Sequence, residues 1–385
     1  MTLLTTQEQL VAFCARQKNA GFLTVDTEFV RERTYWPKLC LVQVAGPDEA
    51  VAIDPLAEGM DLAPLITLFD DPAILKVFHA ARQDLEIFYG LTGRLPTPLF
   101  DTQVAAMVCG YGEAASYETL ASRLADAAID KSSRFTDWAA RPLSPKQLTY
   151  ALGDVTHLRQ VYLKLQAQLD ANGRTAWVRE EMAVLTSPQT YQMDPQEAWR
   201  RLKLRSDKAR LHILAQALAA WRETEAQRLN IPRGRVLRDE ALVEIIHHPP
   251  QTTEDLARIR GVVASFAEGK HGKDVLSVVA EALAQPAPRT PKPSDSRRNA
   301  PGIGPAVDLL KVLLKQVSES EGVATKLIAT TEDLEALASD DQADIPALQG
   351  WRRDLFGTTA LALKQGKLVL GLNGKKLVVR ELPKG

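Results

Sequence analysis

Two acidic residues in the sequence TVDTEF, Asp26 and Glu28, stand two positions apart in a largely apolar run. Side chains two positions apart on a β-strand project from the same face of the sheet. Two carboxylates on a buried face repel each other and lose hydration, and a bound cation relieves both costs. The spacing predicts a cation site, unless the strand ends near Asp26 and Glu28 lies in a solvated loop.

Three further residues have types suited to hydrolysis. Asp84, in FHAARQDLE, falls in the second turn of a helix that follows a strand. Tyr150 and Asp154 are four positions apart and therefore share one face of a helix. That helix is predicted to begin at Ser144-Pro145, a capping residue followed by proline. Acidic residues on helices are usually solvated, and a Tyr and an Asp four positions apart often occur by chance. Each pattern alone is therefore weak evidence for a site.

Short apolar runs rich in Val, Leu and Ile predict the strands that position these residues. The predicted strands span residues 22–27, 39–44, 50–53, 74–78 and 99–102. Helices are predicted at residues 61–69 and 81–89, and they dominate from there to about residue 180. Three meandering strands followed by alternating helix and strand indicate an α/β domain with a mixed sheet in residues 1–190.

The remainder of the chain is predicted to be mostly helical. Helical periodicity begins near residue 207 and continues in short helices to about residue 284. Residues 285–305 contain six prolines and form a predicted linker. Residues 306–358 are again helical. The alternating apolar residues of 367–382 predict a β-hairpin with a type I′ turn at Asn373-Gly374.

Charge is distributed unevenly, although the net charge of the chain is only −1. Residues 1–180 carry 17 Lys and Arg against 22 Asp and Glu, whereas residues 200–284 carry 15 against 11. Residues 285–304 add 4 basic residues against 1 acidic residue. Clustered basic residues favour phosphate contacts with nucleic acid, and ordinary surface variation is the alternative.

The three cysteines, Cys14, Cys40 and Cys109, are too widely spaced for a CxxC pair. This spacing predicts neither a disulfide framework nor a zinc site, and a reducing compartment fits best. The sequence has no signal-peptide pattern, and no apolar run approaches the roughly 18 residues that span a membrane. We therefore expect a cytoplasmic protein that does not bind a membrane.

Taken together, the acidic residues and the tyrosine resemble the motifs of the DEDD (DnaQ-like) exonuclease superfamily, in its tyrosine-bearing DEDDy subclass. The resemblance covers about residues 1–180 and is closest to the ribonuclease D family. It rests on TVDTEFVRERTYWPKLCLVQV, FHAARQDLEIF, LFDTQVAA and YALGDVTHL. It implies a ribonuclease-H-like mixed sheet.

The resemblance also implies a two-metal site. Asp26, Glu28 and Asp154 would hold one divalent cation, Asp26 would bridge to a second, and Asp84 would act largely through ordered water. Oxygen ligands suit Mg²⁺ or Mn²⁺. Tyr150 would orient or help deprotonate the attacking water, and the nearby cations would make hydroxide available.

Several residues near these motifs are expected to contact the substrate. They are Thr27, Phe29, Gln43, His79 and Gln103. For His79, a structural role at the end of its strand is the favoured interpretation. Tyr35 and Trp36 lie in a predicted loop, where they would stack on bases or pack in a small cluster.

Residues 207–284 resemble an HRDC domain, a small helical module, through the segment 221–262. We place this domain at residues 200–284 and expect Asp239 and Thr252 to cap helices. Arg233, Arg235 and Arg238 would form an RNA-backbone surface, or else a solvated basic face. Residues 306–385 look like a second, more divergent HRDC-like domain, for which packing is as good an expectation as RNA binding.

The sequence thus predicts a 3′–5′ exoribonuclease that releases nucleoside 5′-monophosphates from RNA. The resemblance implies 3′ maturation of tRNA precursors, with single-stranded 3′ ends as substrate and no obligate protein partner. A DNA exonuclease of the Werner type is one alternative, although the chain lacks the helicase motif GxxxxGK[ST]. A catalytically inactive RNA-binding protein on the same fold is the other.

Overall fold

A six-stranded mixed sheet forms the centre of the amino-terminal part of the chain. The computed structural model describes residues 2–202, 204, 208–285 and 302–382. The strands are β1 (Thr2–Leu4), β2 (Phe22–Val30), β3 (Lys38–Ala45), β4 (Ala50–Ile53), β5 (Leu75–Phe78) and β6 (Leu99–Asp101). Their order is β1-β4-β3-β2-β5-β6, with β3 antiparallel to both of its neighbours and the other pairs parallel. The predicted mixed sheet is confirmed, and β2 lies at its centre.

Seven helices accompany this sheet among the described residues. They are α1 (Gln7–Gln17), α2 (Ala63–Phe69), α3 (Arg82–Thr92), α4 (Thr102–Val108), α5 (Tyr117–Ala125), α6 (Pro145–Ala171) and α7 (Thr175–Leu185). Their apolar residues and the strands form one large buried cluster that extends from Leu4 to Tyr191. A smaller cluster joins β3 and β4 to Trp138 and to Leu152 of α6. Because Tyr191 belongs to the large cluster, this core extends just beyond residue 190.

Two features of the sheet differ from the prediction. The edge strand β1 was not predicted, because three residues are too few to show an alternating pattern. The strand β2 continues to Val30, beyond the predicted end at residue 27, so Glu28 lies on the strand and not in a loop. The pairing of β2 with β3 shifts between Glu28 and Phe29, which marks a bulge.

The first helical unit contains α8 (Ala209–Leu229), α9 (Arg233–Val236), α10 (Asp239–His247), α11 (Thr253–Ala257), α12 (Ala264–Glu268) and α13 (Lys270–Ala284). The second contains α14 (Gly304–Glu321), α15 (Thr325–Ile328), α16 (Thr331–Ser339), α17 (Gly350–Arg352) and α18 (Thr358–Lys364), then β7 (Leu368–Asn373) and β8 (Lys376–Glu381). Each unit has its own apolar core. The predicted linker at 285–305 falls mostly outside the described residues. No helix in the described part of the chain is long and apolar enough to cross a membrane.

The two helical units begin with the same succession of elements. In each, a long helix ends at a residue with left-handed φ, Asn230 or Gly322, and is followed by a helix of 4 residues and one of 9. This shared succession supports the prediction that the second unit is a divergent relative of the first.

Two local predictions in these units were wrong in detail. The hairpin of β7 and β8 is present, but its two turn residues are Gly374 and Lys375. Only Gly374 has positive φ, whereas a type I′ turn requires positive φ at both positions. In the first unit, Arg238 is the N-cap of α10 and Asp239 is its first helical residue. Thr252 does cap α11, as predicted, by accepting from the Asp255 N–H.

The second helical unit packs directly against the exonuclease-like part. Trp177 of α7 stacks on Trp351 of α17, with ring centroids 4.5 Å apart and an interplanar angle of 9°. The Ala324 N–H donates to the Met107 carbonyl at 2.9 Å. These contacts show that packing is at least one role of this unit.

Candidate active site

Three carboxylates that are distant in sequence meet at one end of the central strand. Oxygen atoms of Asp26, Glu28 and Asp154 all lie within 4.8 Å of one another. Asp26 and Glu28 project from the same face of β2, and Asp154 comes from α6. A group of three carboxylates at this separation is the arrangement that the spacing of Asp26 and Glu28 predicted, with a third member added by the fold.

The helix α6 is fixed to the sheet by hydrogen bonds close to the carboxylates. It begins, as predicted, at Ser144, which forms a capping box with Gln147. The Thr24 hydroxyl, on β2, donates to the Val155 carbonyl at 2.7 Å. The Tyr117 hydroxyl donates to the Gly153 carbonyl at 2.9 Å. Bonds on both sides of Asp154 therefore hold its carboxylate at a set distance from β2.

Asp84 lies beside these three residues but outside their group. It is on α3, only 6% exposed, and it lines the same cleft. The Thr27 hydroxyl, which projects from β2, donates to the Asp84 carboxylate. Thr27 therefore holds Asp84 in place, a contact that its predicted role in substrate binding did not include.

Burial makes ionisation of these carboxyl groups unfavourable. Loss of hydration raises the pKa of Asp26 to about 6 and the pKa of Asp154 to about 8. The pKa of Glu28 rises to about 10, first through burial and then through repulsion by Asp26, Asp154 and Asp84. Burial and the charge of Asp26 also raise the pKa of Asp84 well above its usual range.

The donor set fits divalent cations. None of the ion pairs formed by the described residues includes Asp26, Glu28, Asp84 or Asp154. Arg134 lowers the pKa of Glu28 and Asp154, but this effect is smaller than that of burial. Four acids in one cleft, two of them buried and two half-buried, need positive charge that the ion pairs of the described residues do not supply. Oxygen ligands match hard divalent ions such as Mg²⁺ or Mn²⁺.

Raising the pH from 6 to 8 is expected to destabilise the protein in EDTA. The pKa of Asp26 is about 6 and that of Asp154 about 8 in the folded protein, above their unfolded values. The folded state then holds protons that the unfolded chain has released, so the free energy of unfolding falls as pH rises. Mg²⁺ replaces these protons, and its increase in Tm should be larger at pH 8 than at pH 6.

Thermal unfolding with EDTA or Mg²⁺ at both pH values measures this effect. The matched variant is Glu28→Gln, which removes one of the carboxyl groups with a raised pKa and should weaken the dependence on pH. An equal Mg²⁺-induced shift at pH 6 and pH 8 would contradict the coupling between protons and metal.

Tyr150 lies one turn before Asp154 on α6, and its hydroxyl lowers the pKa of that carboxyl group. Its ring packs near Trp138, with centroids 6.2 Å apart, and it lines the cleft. Burial, followed by the charges of Asp154, Glu28 and Asp26, raises the pKa of the Tyr150 hydroxyl far above its ordinary value. The phenol is therefore protonated at neutral pH and acts as a hydrogen-bond donor.

Four of the five predicted substrate contacts line a cleft of about 680 Å³ around the carboxylates. They are Thr27, Phe29, His79 and Gln103. His79 is mostly buried, its Nδ1 lies 3.0 Å from the Thr102 hydroxyl, and burial lowers its pKa, which favours the neutral ring. Their roles toward a substrate stay predictions.

Gln43 does not reach this cleft. It pairs with Asp26 across β2 and β3, but its side chain is fully buried. Both polar atoms of its amide lack a hydrogen-bond partner among the described residues. The position next to Asp26 on the sheet was predicted, whereas the complete burial that separates Gln43 from a substrate was not.

The loop before α6 contributes residues that the motifs did not indicate. Arg134 and Phe135 line the cleft, and the Phe135 side chain is 90% exposed. The Arg134 guanidinium lies 5.2 Å from the centre of the Phe135 ring. In the sequence, the only indication of these residues is that RFTDW stands shortly before Ser144, where α6 begins. The sequence does not specify the direction of this loop, and that direction decides whether Arg134 and Phe135 reach the cleft.

The three predicted RNA-binding arginines of the first helical unit have different surroundings. Arg233 is half-buried and pairs with the buried carboxylate of Glu223 at 2.5 Å. Arg235 and Arg238 are exposed. Arg233 therefore already has a structural partner, whereas Arg235 and Arg238 are accessible.

Comparison with protein families matches both parts of this architecture. Residues 1–170 match a family described as 3′-5′ exonuclease, and residues 213–279 match the HRDC domain. The second match lies inside the segment predicted to be an HRDC domain. The boundaries at 190, 200 and 306 stay predictions.

Similar proteins extend over nearly the whole chain. Ribonuclease D of Gluconacetobacter diazotrophicus is 51% identical over 384 residues, which cover 99% of this chain and 96% of that protein. Ribonuclease D of Granulibacter bethesdensis is 52% identical, covering 98% of this chain and 95% of that protein. The crystal structure of Escherichia coli RNase D, an exoribonuclease involved in structured RNA processing, matches with a TM-score of 0.84 at 30% identity, covering 95% of this chain and 98% of that one. The chain belongs to the ribonuclease D family.

Proposed function

We propose that this protein removes nucleoside 5′-monophosphates from the 3′ ends of RNA by metal-dependent hydrolysis. The observation that carries the proposal is the group formed by Asp26, Glu28 and Asp154, with Tyr150 one helical turn from the third carboxylate in the same cleft. Members of the family to which it belongs are named ribonuclease D. The proposed substrates are precursors of tRNA, and the proposed location of the protein is the cytoplasm.

Each residue of the site has a part in this mechanism. Asp26, Glu28 and Asp154 would hold one divalent cation, and Asp26 would also bind a second. When bound, the two cations stabilise charge on the attacking and leaving oxygens of the phosphodiester. Asp84, positioned by the Thr27 hydroxyl, would act through ordered water.

Tyr150 and the cleft walls would align the reactants. The Tyr150 hydroxyl is protonated, so it orients the attacking water and does not serve as a base by itself. Phe29 and His79, in the wall of the cleft, would contact the terminal nucleotide. Fixing the water and the phosphodiester in one geometry lowers the entropic part of the barrier.

One assay tests the proposal. Single-stranded RNA and DNA of the same sequence, labelled at the 5′ end, are incubated with Mg²⁺, Mn²⁺ or EDTA. We expect stepwise shortening of the RNA from its 3′ end with either metal and no reaction in EDTA. Faster degradation of DNA than RNA would favour a DNA exonuclease, and no degradation of either would indicate an inactive binding protein.

A further inference from the structure

A second cavity, of about 420 Å³, lies where the exonuclease domain meets the first helical unit. Four arginines line it: Arg31 and Arg82 from the exonuclease domain, Arg233 from α9, and Arg201, which precedes α8. Glu86 is the one acidic residue in this lining. The lining therefore carries three more positive than negative charges, on a protein whose net charge is −1.

Two of these four arginines are already paired. Arg31 forms an ion pair with Glu86 at 3.0 Å, and Arg233 pairs with Glu223. Arg82 and Arg201 are exposed and have no carboxylate partner among the described residues. The Arg201 guanidinium contacts the Met193 sulfur at 2.7 Å, which leaves its charge unneutralised. The Arg82 and Arg201 guanidinium groups are therefore the ones available to an external anion.

This cavity lies next to the catalytic cleft and next to a third cavity. Arg31 lines both the catalytic cleft and the arginine-lined cavity. Arg201 and Arg233 line both that cavity and the third, which has a volume of about 460 Å³. The third cavity is also lined by Arg222 and Arg238 and by three acidic residues, Glu223, Asp239 and Glu240. Arg222 is 5% exposed and already paired, because its guanidinium donates to the Asp239 carboxylate at 2.6 Å and to the Leu237 carbonyl at 2.9 Å. The shared residues place the three cavities next to one another across the domain junction, and this succession of cavities is called the path.

An aromatic side chain stands beside the unpaired arginines. Trp36 lines the arginine-lined cavity and is 38% exposed. Its loop is held to the first helical unit, because the Asn230 side-chain carbonyl accepts from the backbone N–H groups of Tyr35 and Trp36 at 3.2 and 3.0 Å. The Tyr35 hydroxyl also bonds to Glu223. The backbone that carries the indole is thus fixed, and the indole packs edge-on against the Tyr35 ring, with centroids 4.7 Å apart, while it stays partly exposed.

We propose that the RNA strand upstream of the reacting 3′ nucleotide follows this path, with its phosphates bound by Arg82 and Arg201 and a base stacked on Trp36. This inference rests on the proposed exoribonuclease activity. Arginine side chains beside an exposed aromatic ring are the usual elements of a site for single-stranded nucleic acid. A strand also fits better than a small anion, because the three cavities are neighbours and one of them holds the catalytic carboxylates.

The charge balance of the chain supports this position for the strand. The exonuclease part is acidic, with 17 basic against 22 acidic residues in positions 1–180. Away from the metals, it would repel an RNA backbone. Arg82 and Arg201 provide positive charge where the strand leaves the catalytic cleft.

The test compares two double variants of the full chain. Arg82→Ala/Arg201→Ala removes the two unpaired arginines of the path. Arg123→Ala/Arg260→Ala removes one exposed arginine from each of the same two parts of the protein, outside all three cavities. Each is assayed on a dinucleotide, the smallest RNA with a bond to cleave, and on an RNA of about 20 nucleotides, longer than a typical single-strand site. Binding of the long RNA is measured with Asp26→Asn added to each protein, so that the RNA stays intact.

We expect Arg82→Ala/Arg201→Ala to bind the long RNA roughly tenfold more weakly at 0.15 M salt. The slope of log K against log salt concentration (the salt slope) should be shallower by about 1.4, which is about 0.7 for each of the two phosphates that an arginine no longer neutralises. Its loss of activity should be much larger on the long RNA than on the dinucleotide. The control variant should match the parent protein in both measurements.

Two results would overturn the inference while the proposed function stands. One is the same affinity and salt slope in both double variants. The other is an equal loss on the dinucleotide and the long RNA, which would place these arginines in catalysis or folding. If the parent protein degrades neither RNA, the proposed function itself fails, and this result is separate from both.

Discussion

Replacing Asp26 by Asn, or Asp154 by Asn, is expected to abolish RNA hydrolysis while RNA binding largely survives. Both carboxylates belong to the group whose oxygens lie within 4.8 Å of one another. Loss of an outer-shell partner of a metal ligand typically costs about ten- to a hundredfold in activity. Loss of the ligand itself should therefore cost at least about a hundredfold. Single-turnover hydrolysis and RNA affinity, measured on the same proteins, separate the two effects.

The substitutions should also stabilise the protein in EDTA. Burial raises the pKa of both groups, so their ionised forms are unfavourable in the absence of a cation. A loss of activity with an unchanged or higher Tm would then exclude unfolding as its cause. Glu32→Gln is the matched control, because Glu32 lines the same cleft but is exposed and lies outside the group of three. Wild-type turnover by Asp26→Asn would contradict the assignment of the metal site.

The spacing of the acidic residues along the chain predicted much of the site. Alternation along β2 placed Asp26 and Glu28 on one face, and helical periodicity placed Tyr150 and Asp154 together on α6. These are local properties, set by the backbone geometry of a single element. The Ser144 cap of α6 was predicted for the same reason, because capping depends on neighbouring residues.

Contacts between distant parts of the chain could not be predicted in this way. The hydrogen bond from Thr24 to the Val155 carbonyl spans 131 positions, and the bond from Thr27 to Asp84 spans 57. Both depend on how α6 and α3 cross the sheet, which no periodicity specifies. The burial of Gln43 is a similar case. Alternation along β3 predicts which face of the sheet its side chain is on, but it does not predict how completely other elements cover that face.

The domain junction shows the same limit. The sequence showed an acidic amino-terminal part and a basic middle. It did not show that Arg233 would form an ion pair with Glu223, nor that Arg82 and Arg201 would line the same cavity. Only the packing of the β2–β3 loop against α8 and α9 determines which arginines remain available.

Replacing Tyr150 by Phe is expected to reduce the rate of hydrolysis strongly without unfolding the protein. The hydroxyl lines the cleft beside Asp154, and the variant removes the donor that would orient the attacking water. Groups of this kind typically contribute about 10²- to 10⁴-fold to a rate, so we expect a loss of at least about a hundredfold. The ring can still pack near Trp138, at the present centroid distance of 6.2 Å. Single-turnover rates at saturating metal, with thermal unfolding of the same samples, measure both quantities.

Tyr117→Phe provides the matched control, because Tyr117 lines the same cleft and is also largely buried. Its hydroxyl donates to the Gly153 backbone carbonyl at 2.9 Å and is therefore already engaged within the protein. Loss of that bond should lower the free energy of unfolding by about 1 kcal/mol and change the rate much less than Tyr150→Phe does. Saturating metal is essential, because Tyr150 lowers the pKa of Asp154, and loss of its hydroxyl raises that pKa and weakens cation binding. If Tyr150→Phe turns over at the wild-type rate under these conditions, the tyrosine serves only to pack and to support Asp154, and the water must be oriented by the cations and their carboxylates alone.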